Sequence, residues 1–313
     1  MKYYFGIDIG GTEIKFGFFD ETKRLIDTFK ILTPTENIRE ELVNSIFLKV
    51  KERLEKEKLT LDSLYGIGLT IPGPVNSAGI IIFCANLNVG YDFDIVTAIK
   101  EKFNKPTLKV VVGNDANLAA YGEYKILARS NLSNLVFITL GTGVGGGVIV
   151  NKKLVTGFTG SAGEIGHMPY DLNNNRKCGC GGIGCVETIA GTAGMIQTAN
   201  DLMKKEKSIM KDKTLTPKVI FDSAKEGDLV ALKVVDSVSQ AIGYMAATIA
   251  TIVDPEVFII GGGVAQAGQF LLSKINYHYQ QVARFETTKA RFELAKLGND
   301  AGFYGAFYLL LED

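Results

Sequence analysis

The sequence carries no net charge: 34 lysines and arginines stand against 34 aspartates and glutamates. That balance gives no reason to expect a polyanionic partner such as nucleic acid. No apolar run approaches the ~18 residues needed to span a bilayer. The opening MKYYFGIDIGGT lacks the apolar core and cleavage site of a secretory leader. Only four cysteines, unevenly spaced, occur in 313 residues, which does not make a secreted disulfide framework. These absences predict a protein of the reducing cytoplasm with no nucleic-acid or membrane partner. A Walker loop, G-x-x-x-x-G-K-[ST], and a C-x-x-C redox pair are also missing.

What is present begins with a hydrophobic content of 46%, ample for a large core and two domains. Two stretches share one plan. YYFGIDIGGTEIKFGFFD and LVFITLGTGVGGGVIVNKKL each read as apolar strand, glycine turn and antiparallel strand, and they overlay with Gly10 against Gly141. The repetition predicts a duplicated α/β domain. Between them, IREELVNSIFLKVKERLEKEKL has the 3.6 period of an amphipathic helix, and TLKVVVGND is a β-branched strand running into a helix. DLVALKVVDSVSQAIGYMAATIATIVD reads as a long apolar helix stopped by Pro255. The closing AGFYGAFYLLL reads as a short helix able to pack back onto the first domain. No linker separates the domains, so the expected boundary is a short hinge near Asp115. That gives an N-terminal lobe of 1–115 plus 300–313 and a C-terminal lobe of 116–299.

GTGVGG matches the dinucleotide fingerprint by letter, but that fingerprint needs a helix to open right after the loop. Here VIVNKKLV follows, which is strand-like. What remains are two glycine turns, Gly10 and Gly11 with Thr12, and Gly141 and Gly143 with Thr142. Glycines let backbone amides approach phosphate oxygens, and two such turns can grip a triphosphate. Asp8 ends the first strand, where a carboxylate can hold Mg²⁺. Lys15 either reaches the phosphates or is a solvated strand lysine. Gly261, Gly262 and Gly263 form a third loop at a strand's end, holding a nucleoside or simply turning strand into helix.

Asn114 and Asp115 stand where a buried strand meets a helix. Either Asp115 caps the helix or it accepts the proton of a nucleophilic hydroxyl that Asn114 orients. One residue can do both.

One of only two histidines, His167, precedes Cys178, Cys180 and Cys185. The Cys₃His set suits a closed structural Zn²⁺ site. Cys84 stands apart as a buried small residue. Glu164 and Glu187 flank the cysteine loop. With His167 they suit a polyhydroxylated ligand, since each hydroxyl both donates and accepts. The bland alternative is solvated loop acids or support for the zinc ligands.

In this order, DIGGTEIK, GND, LGTGVGGG, GEIGH and CGCGGIGCVE make the chain resemble the ROK family of sugar kinases and sugar-responsive repressors, from Gly6 to the closing GFYGAF. The resemblance implies an actin-like ATPase fold, two ribonuclease-H-like lobes with ATP and sugar in a central cleft, usually as a homodimer. It implies Asp115 as the base, Asn86, Asn114, Glu164, His167 and Glu187 as sugar contacts, and His167, Cys178, Cys180 and Cys185 as zinc ligands. Gly73, in TIPGPV, is expected to shape the sugar pocket. Family repressors carry an N-terminal helix-turn-helix domain, whereas this sequence starts at once on its first hairpin, so a kinase using ATP and Mg²⁺ is expected. One departure concerns the sugar loop. Family members often have proline before the asparagine and tryptophan a few residues on, where this chain has Ala85 and Tyr91. Glucose, phosphorylated on O6, is the first expectation; the alternatives are N-acetylmannosamine, allose, fructose or mannose, and a sugar sensor without turnover.

Overall fold

Each glycine turn caps the hairpin that starts a five-stranded sheet. The computed structural model describes residues 1–84, 87–127, 131–171, 173 and 175–312. The chain divides into two compact units: Met1–Ser130 with Leu154–Ala162 and Asn299–Asp313, and Asn131–Lys153 with Gly163–Gly298.

In the first unit, β1 (Tyr3–Ile9) and β2 (Glu13–Asp20) are antiparallel, β3 (Leu25–Leu32) follows, then helix α1 (Ile38–Lys56) and β4 (Leu64–Ile71). Helix α2 (Ile95–Lys102), β5 (Lys109–Asn114) and α3 (Asp115–Leu127) come next. The strand order is β3-β2-β1-β4-β5, with β4 parallel to both β1 and β5. Helix α1 forms as its periodicity predicts, burying Ile38, Leu42, Val43, Ile46, Val50 and Leu54 along one face.

The second unit repeats this order. Its hairpin is β6 (Leu135–Leu140) and β7 (Val144–Val150), followed by the short β8 (Lys153–Leu154). Helices α4 (Glu187–Ala190), α5 (Thr192–Met203), α6 (Pro217–Lys225) and α7 (Leu229–Val253) precede β9 (Val257–Gly261), α8 (Gln269–Val282) and β10 (Arg291–Leu294). The order β10-β9-β6-β7-β8, with β9 parallel to β6 and β10, mirrors the first sheet strand for strand. Duplication, read from two hairpins, extends to whole sheets. Helix α7 is capped by Asp228, whose side chain accepts from Ala231 N–H, and it ends at left-handed Asp254 just ahead of Pro255. By length and composition α7 is apolar enough to cross a membrane, yet most of it is buried inside this unit against α4, α5, α6 and α8.

The last helix, α9 (Ala301–Leu310), belongs to the first unit. It lies on a rung of glycines. Gly17, Gly6 and Gly68 stand side by side on β2, β1 and β4. A β-carbon on Gly6 would collide with the backbone carbonyl of Phe303, and one on Gly68 with that of Ala306. Gly305 is likewise pressed against the Leu118 carbonyl of α3. Phe303, Phe307 and Leu310 are buried with Tyr4 and Phe19. Because α3 packs along α9, it stays with the first unit, and the chain leaves that unit near residue 130 rather than at the expected hinge at Asp115. The loop 154–162 also belongs to the first unit, where 116–299 was expected to form one lobe.

Candidate active site

Strand pairing sets Asp8 directly across from Lys15. From the parallel neighbour β4, the fully buried Thr70 donates its hydroxyl to Asp8 Oδ1 at 2.5 Å. Burial pushes the Asp8 carboxyl above the ordinary carboxylate range, while the Thr70 bond and Lys15 pull it back only in part. A half-buried carboxylate so incompletely compensated is a site where a cation is favoured. Lys15 Nζ donates to the carbonyl of Asn299 at 3.1 Å, so this lysine is tied to the segment ahead of α9. Thr12 is exposed on the turn beside Gly10 and Gly11.

At the same carboxyl end of this sheet, on the edge strand β5, Gly73, Asn114 and Asp115 come together. Asn114 Oδ1 accepts the N–H of Asn117 at 3.0 Å, and Asn114 Nδ2 donates to the Gly73 carbonyl at 3.3 Å. The helix cap is therefore Asn114, not Asp115. Asp115 Oδ1 accepts the neighbouring Ala116 N–H at 2.8 Å. Gly73 has φ 151°, and a β-carbon there would strike the Phe83 carbonyl, so the TIPGPV turn requires glycine. Asn86 and Ala85 lie outside the described residues. Beyond them, Tyr91 is exposed and stacks on Phe83 with centroids 5.0 Å apart.

In the second unit, the turn of Gly141, Thr142 and Gly143 joins β6 to β7. None of Gly10, Gly11, Gly141 and Gly143 has positive φ, so these glycines serve openness rather than handedness. A β-carbon on Gly141 would meet nothing within 4 Å, whereas one on Gly143 would strike Glu187 Oε2. That same oxygen accepts the Val144 N–H at 2.9 Å. Glu187 Oε1 lies 3.5 Å from Cys178 Sγ. One carboxylate thus links the glycine turn to the cysteine loop.

The loop itself gathers all four expected ligands: one donor atom each from His167, Cys178, Cys180 and Cys185, all within 4.8 Å of one another. A tetrahedral zinc with Zn–S near 2.3 Å sets its sulfurs about 3.8 Å apart. Cys180 and Cys185 Sγ are 3.8 Å apart, and Cys178 Sγ is 3.4 Å from His167 Nδ1. The donor set fits zinc in type and spacing. His167 presents Nδ1 to the sulfurs and turns Nε2 toward Glu164 Oε2, 3.8 Å away. Glycines at 181 and 184, with φ of 88° and 69°, make the turns that wrap the cluster. Cys84 is buried apart from it and bonds the Pro72 carbonyl.

Of the third glycine loop, only part faces a ligand-sized space. Gly262 has φ 82° and abuts Leu140, and Gly261 abuts the Phe137 ring, so both are set by packing. Gly263 lines a cavity of about 150 Å³ with Val264, Gln266 and Ala267 and, from α6, Pro217, Lys218 and Phe221. The α6 side of this cavity was not visible in sequence, because nothing in TPKVIFDSAK departs from an ordinary capped amphipathic helix. His278 is buried and bonds Asp236 at 2.9 Å, which gives the second histidine a structural place.

The ROK family model matches residues 4–313. A glucokinase of Halalkalibacterium halodurans is 35% identical over 99% of this chain and 95% of its own length. An N-acetylmannosamine kinase of Salmonella newport is 31% identical over 98% of both. Among solved structures, a ROK family glucokinase from Streptomyces griseus in complex with glucose and AMPPNP matches with a TM-score of 0.76 at 30% identity, covering 98% of each chain.

Proposed function

The chain belongs to the ROK family, and on that premise we propose that it is an ATP- and Mg²⁺-dependent sugar kinase whose substrate is glucose, phosphorylated on O6. The observation that carries the reading is Asp115, set at the carboxyl end of a parallel strand, where α/β sheets hold their ligands. Phosphoryl transfer asks for positioning, charge stabilisation and a base for the attacking hydroxyl.

Asp115 takes that proton. Asn114 keeps Asp115 in place, because its side chain ties the helix start to the Gly73 turn. Glu164, His167 and Glu187 receive sugar hydroxyls, with the His167 Nε2 edge turned away from the sulfurs toward Glu164. Asp8 would hold Mg²⁺, which would supply charge neutralisation to the transferring phosphoryl group. Zinc in the Cys₃His set would lock the loop carrying Glu187. The amides of the two glycine turns meet the donor's phosphates, and the cavity between Gly263 and α6 takes its nucleoside.

Similarity to an N-acetylmannosamine kinase across the whole chain favours that amino sugar as the second reading. The test is ADP release from Mg·ATP over glucose, mannose, fructose, allose, N-acetylglucosamine and N-acetylmannosamine. Glucose is expected to give the highest kcat/KM. A preference for N-acetylmannosamine would transfer the assignment to it, and sugar binding without turnover would make the protein a sensor.

A further inference from the structure

The two glycine turns are anchored by the same bond from unrelated elements. In the first unit, Thr33, just past the end of β3, donates its hydroxyl to the Gly10 carbonyl at 2.6 Å and its N–H to the Thr12 carbonyl at 2.9 Å. In the second, Thr192, the first residue of α5, donates its hydroxyl to the Gly141 carbonyl at 2.7 Å. Its N–H is shared between the Gly141 and Thr142 carbonyls, at 3.1 Å each. Gly10 and Gly141 are the pair that the two hairpin sequences bring into alignment. One threonine comes after a strand and the other opens a helix, so sheet repetition alone does not account for the coincidence.

The consequence is electrostatic. A glycine turn binds an anion only if its amides, not its carbonyls, face the ligand. In the second turn every carbonyl is occupied within the protein: Gly141 and Thr142 by Thr192, and Gly143 by the Gly141 N–H at 3.0 Å. The Val144 N–H is taken by Glu187. The Thr142 and Gly143 amides, together with the Thr142 hydroxyl, are left for a phosphate. In the first turn, Thr33 occupies the carbonyls of Gly10 and Thr12 in the same way.

We infer that Thr33 and Thr192 are positioning residues for the phosphoryl donor, each holding the carbonyls of its glycine turn against the protein so that the amides face phosphate oxygens. This rests on the kinase reading, and it adds two residues that neither motif contains. Their partner is the phosphate chain, not the nucleoside or the sugar.

Valine keeps the shape of threonine and removes the hydroxyl. Losing one neutral hydrogen bond of ~1 kcal/mol corresponds to about a fivefold change in affinity. Calorimetric titration of the zinc-loaded protein with a non-hydrolysable Mg·ATP analogue, and separately with adenosine, is the test. Thr33→Val and Thr192→Val should each weaken the analogue about fivefold and leave adenosine unchanged. Thr33→Ser and Thr192→Ser should bind the analogue like the wild type. Alanine variants, which also lack the hydroxyl but add no bulk, give the same reading if a valine variant does not fold. Unchanged analogue binding in the valine and alanine variants overturns the inference. So does equal weakening of analogue and adenosine, or failure of serine to rescue, since each points to general loss of structure. A wild type that binds no nucleotide overturns the kinase reading itself, and this inference with it.

Discussion

The Asp8 carboxyl group lies against the backbone of Gly302: a β-carbon on that glycine would stand 2.7 Å from Asp8 Cγ. The carboxylate thus lies between β4 on one side and the first turn of α9 on the other, and the cost of its desolvation, offset in part by Thr70 and Lys15, would fall further with a bound cation. A group whose carboxyl is pushed up by folding holds its proton more tightly in the folded state. Its contribution to stability is therefore most favourable below the ordinary value of 3.8 and declines as pH rises through the raised folded value. Above that folded value the ligand-free protein carries the penalty in full. Asp8→Asn, which still accepts the Thr70 hydroxyl, should raise the melting temperature of the ligand-free protein at pH 8 while lowering kcat about a hundredfold. A variant that melts lower and turns over normally would remove Asp8 from the cation site.

Asp115→Asn keeps the oxygen that accepts from Ala116 and leaves the Asn114 cap untouched. Turnover should fall by about three orders of magnitude, the usual range for losing a general base. Glucose binding, measured by calorimetry, should stay within a few-fold of wild type. Retained turnover would mean that another group takes the proton.

Cys180→Ser removes the exposed member of the Cys₃His set. Zinc content by mass spectrometry should drop well below one per chain, and the KM for sugar should rise about tenfold as Glu187 and His167 lose their frame. Loss of zinc with an unchanged sugar KM would show that the loop keeps its shape without metal.

The glycine rung sets a sharper structural test. Alanine is a better strand and helix residue than glycine, so local propensity alone would have Gly68→Ala stabilise the protein. The collision with the Ala306 carbonyl says the opposite. Destabilisation of roughly 3 kcal/mol, at the upper end for overpacking a core, is expected, read as a lower midpoint in urea.

Much of this was legible in the chain itself. The hairpins announced themselves because apolar strands break on glycines and resume with alternation, and the repetition pointed to a doubled sheet. The cysteine loop was legible because three thiols and an imidazole so close together have few other uses. Asp115 was placed correctly at the junction of strand and helix, but its neighbour Asn114 took the cap, since choosing between two adjacent good caps depends on which side chain reaches Asn117 N–H. The Lys15 contact with the Asn299 carbonyl had no signal in the sequence, because the two residues are 284 positions apart. Thr33 and Thr192 left no trace for the same reason. A lone threonine is ordinary until the fold places it against a particular carbonyl. The hinge was misplaced because α3 follows the contact with α9, which no local signal encodes.

The glycine rung also orders events in time. Strand β1 and helix α9 lie at opposite ends of the chain, so a ribosome adding about 5–20 residues per second separates them by roughly 15–60 s. By the end of that interval the second unit has its sequence complete to Gly298, while the first sheet still exposes a strip of backbone shaped for a helix not yet made. The unit whose strands emerge first is thus the last that can close, and its nascent form is the one most in need of shelter from other chains.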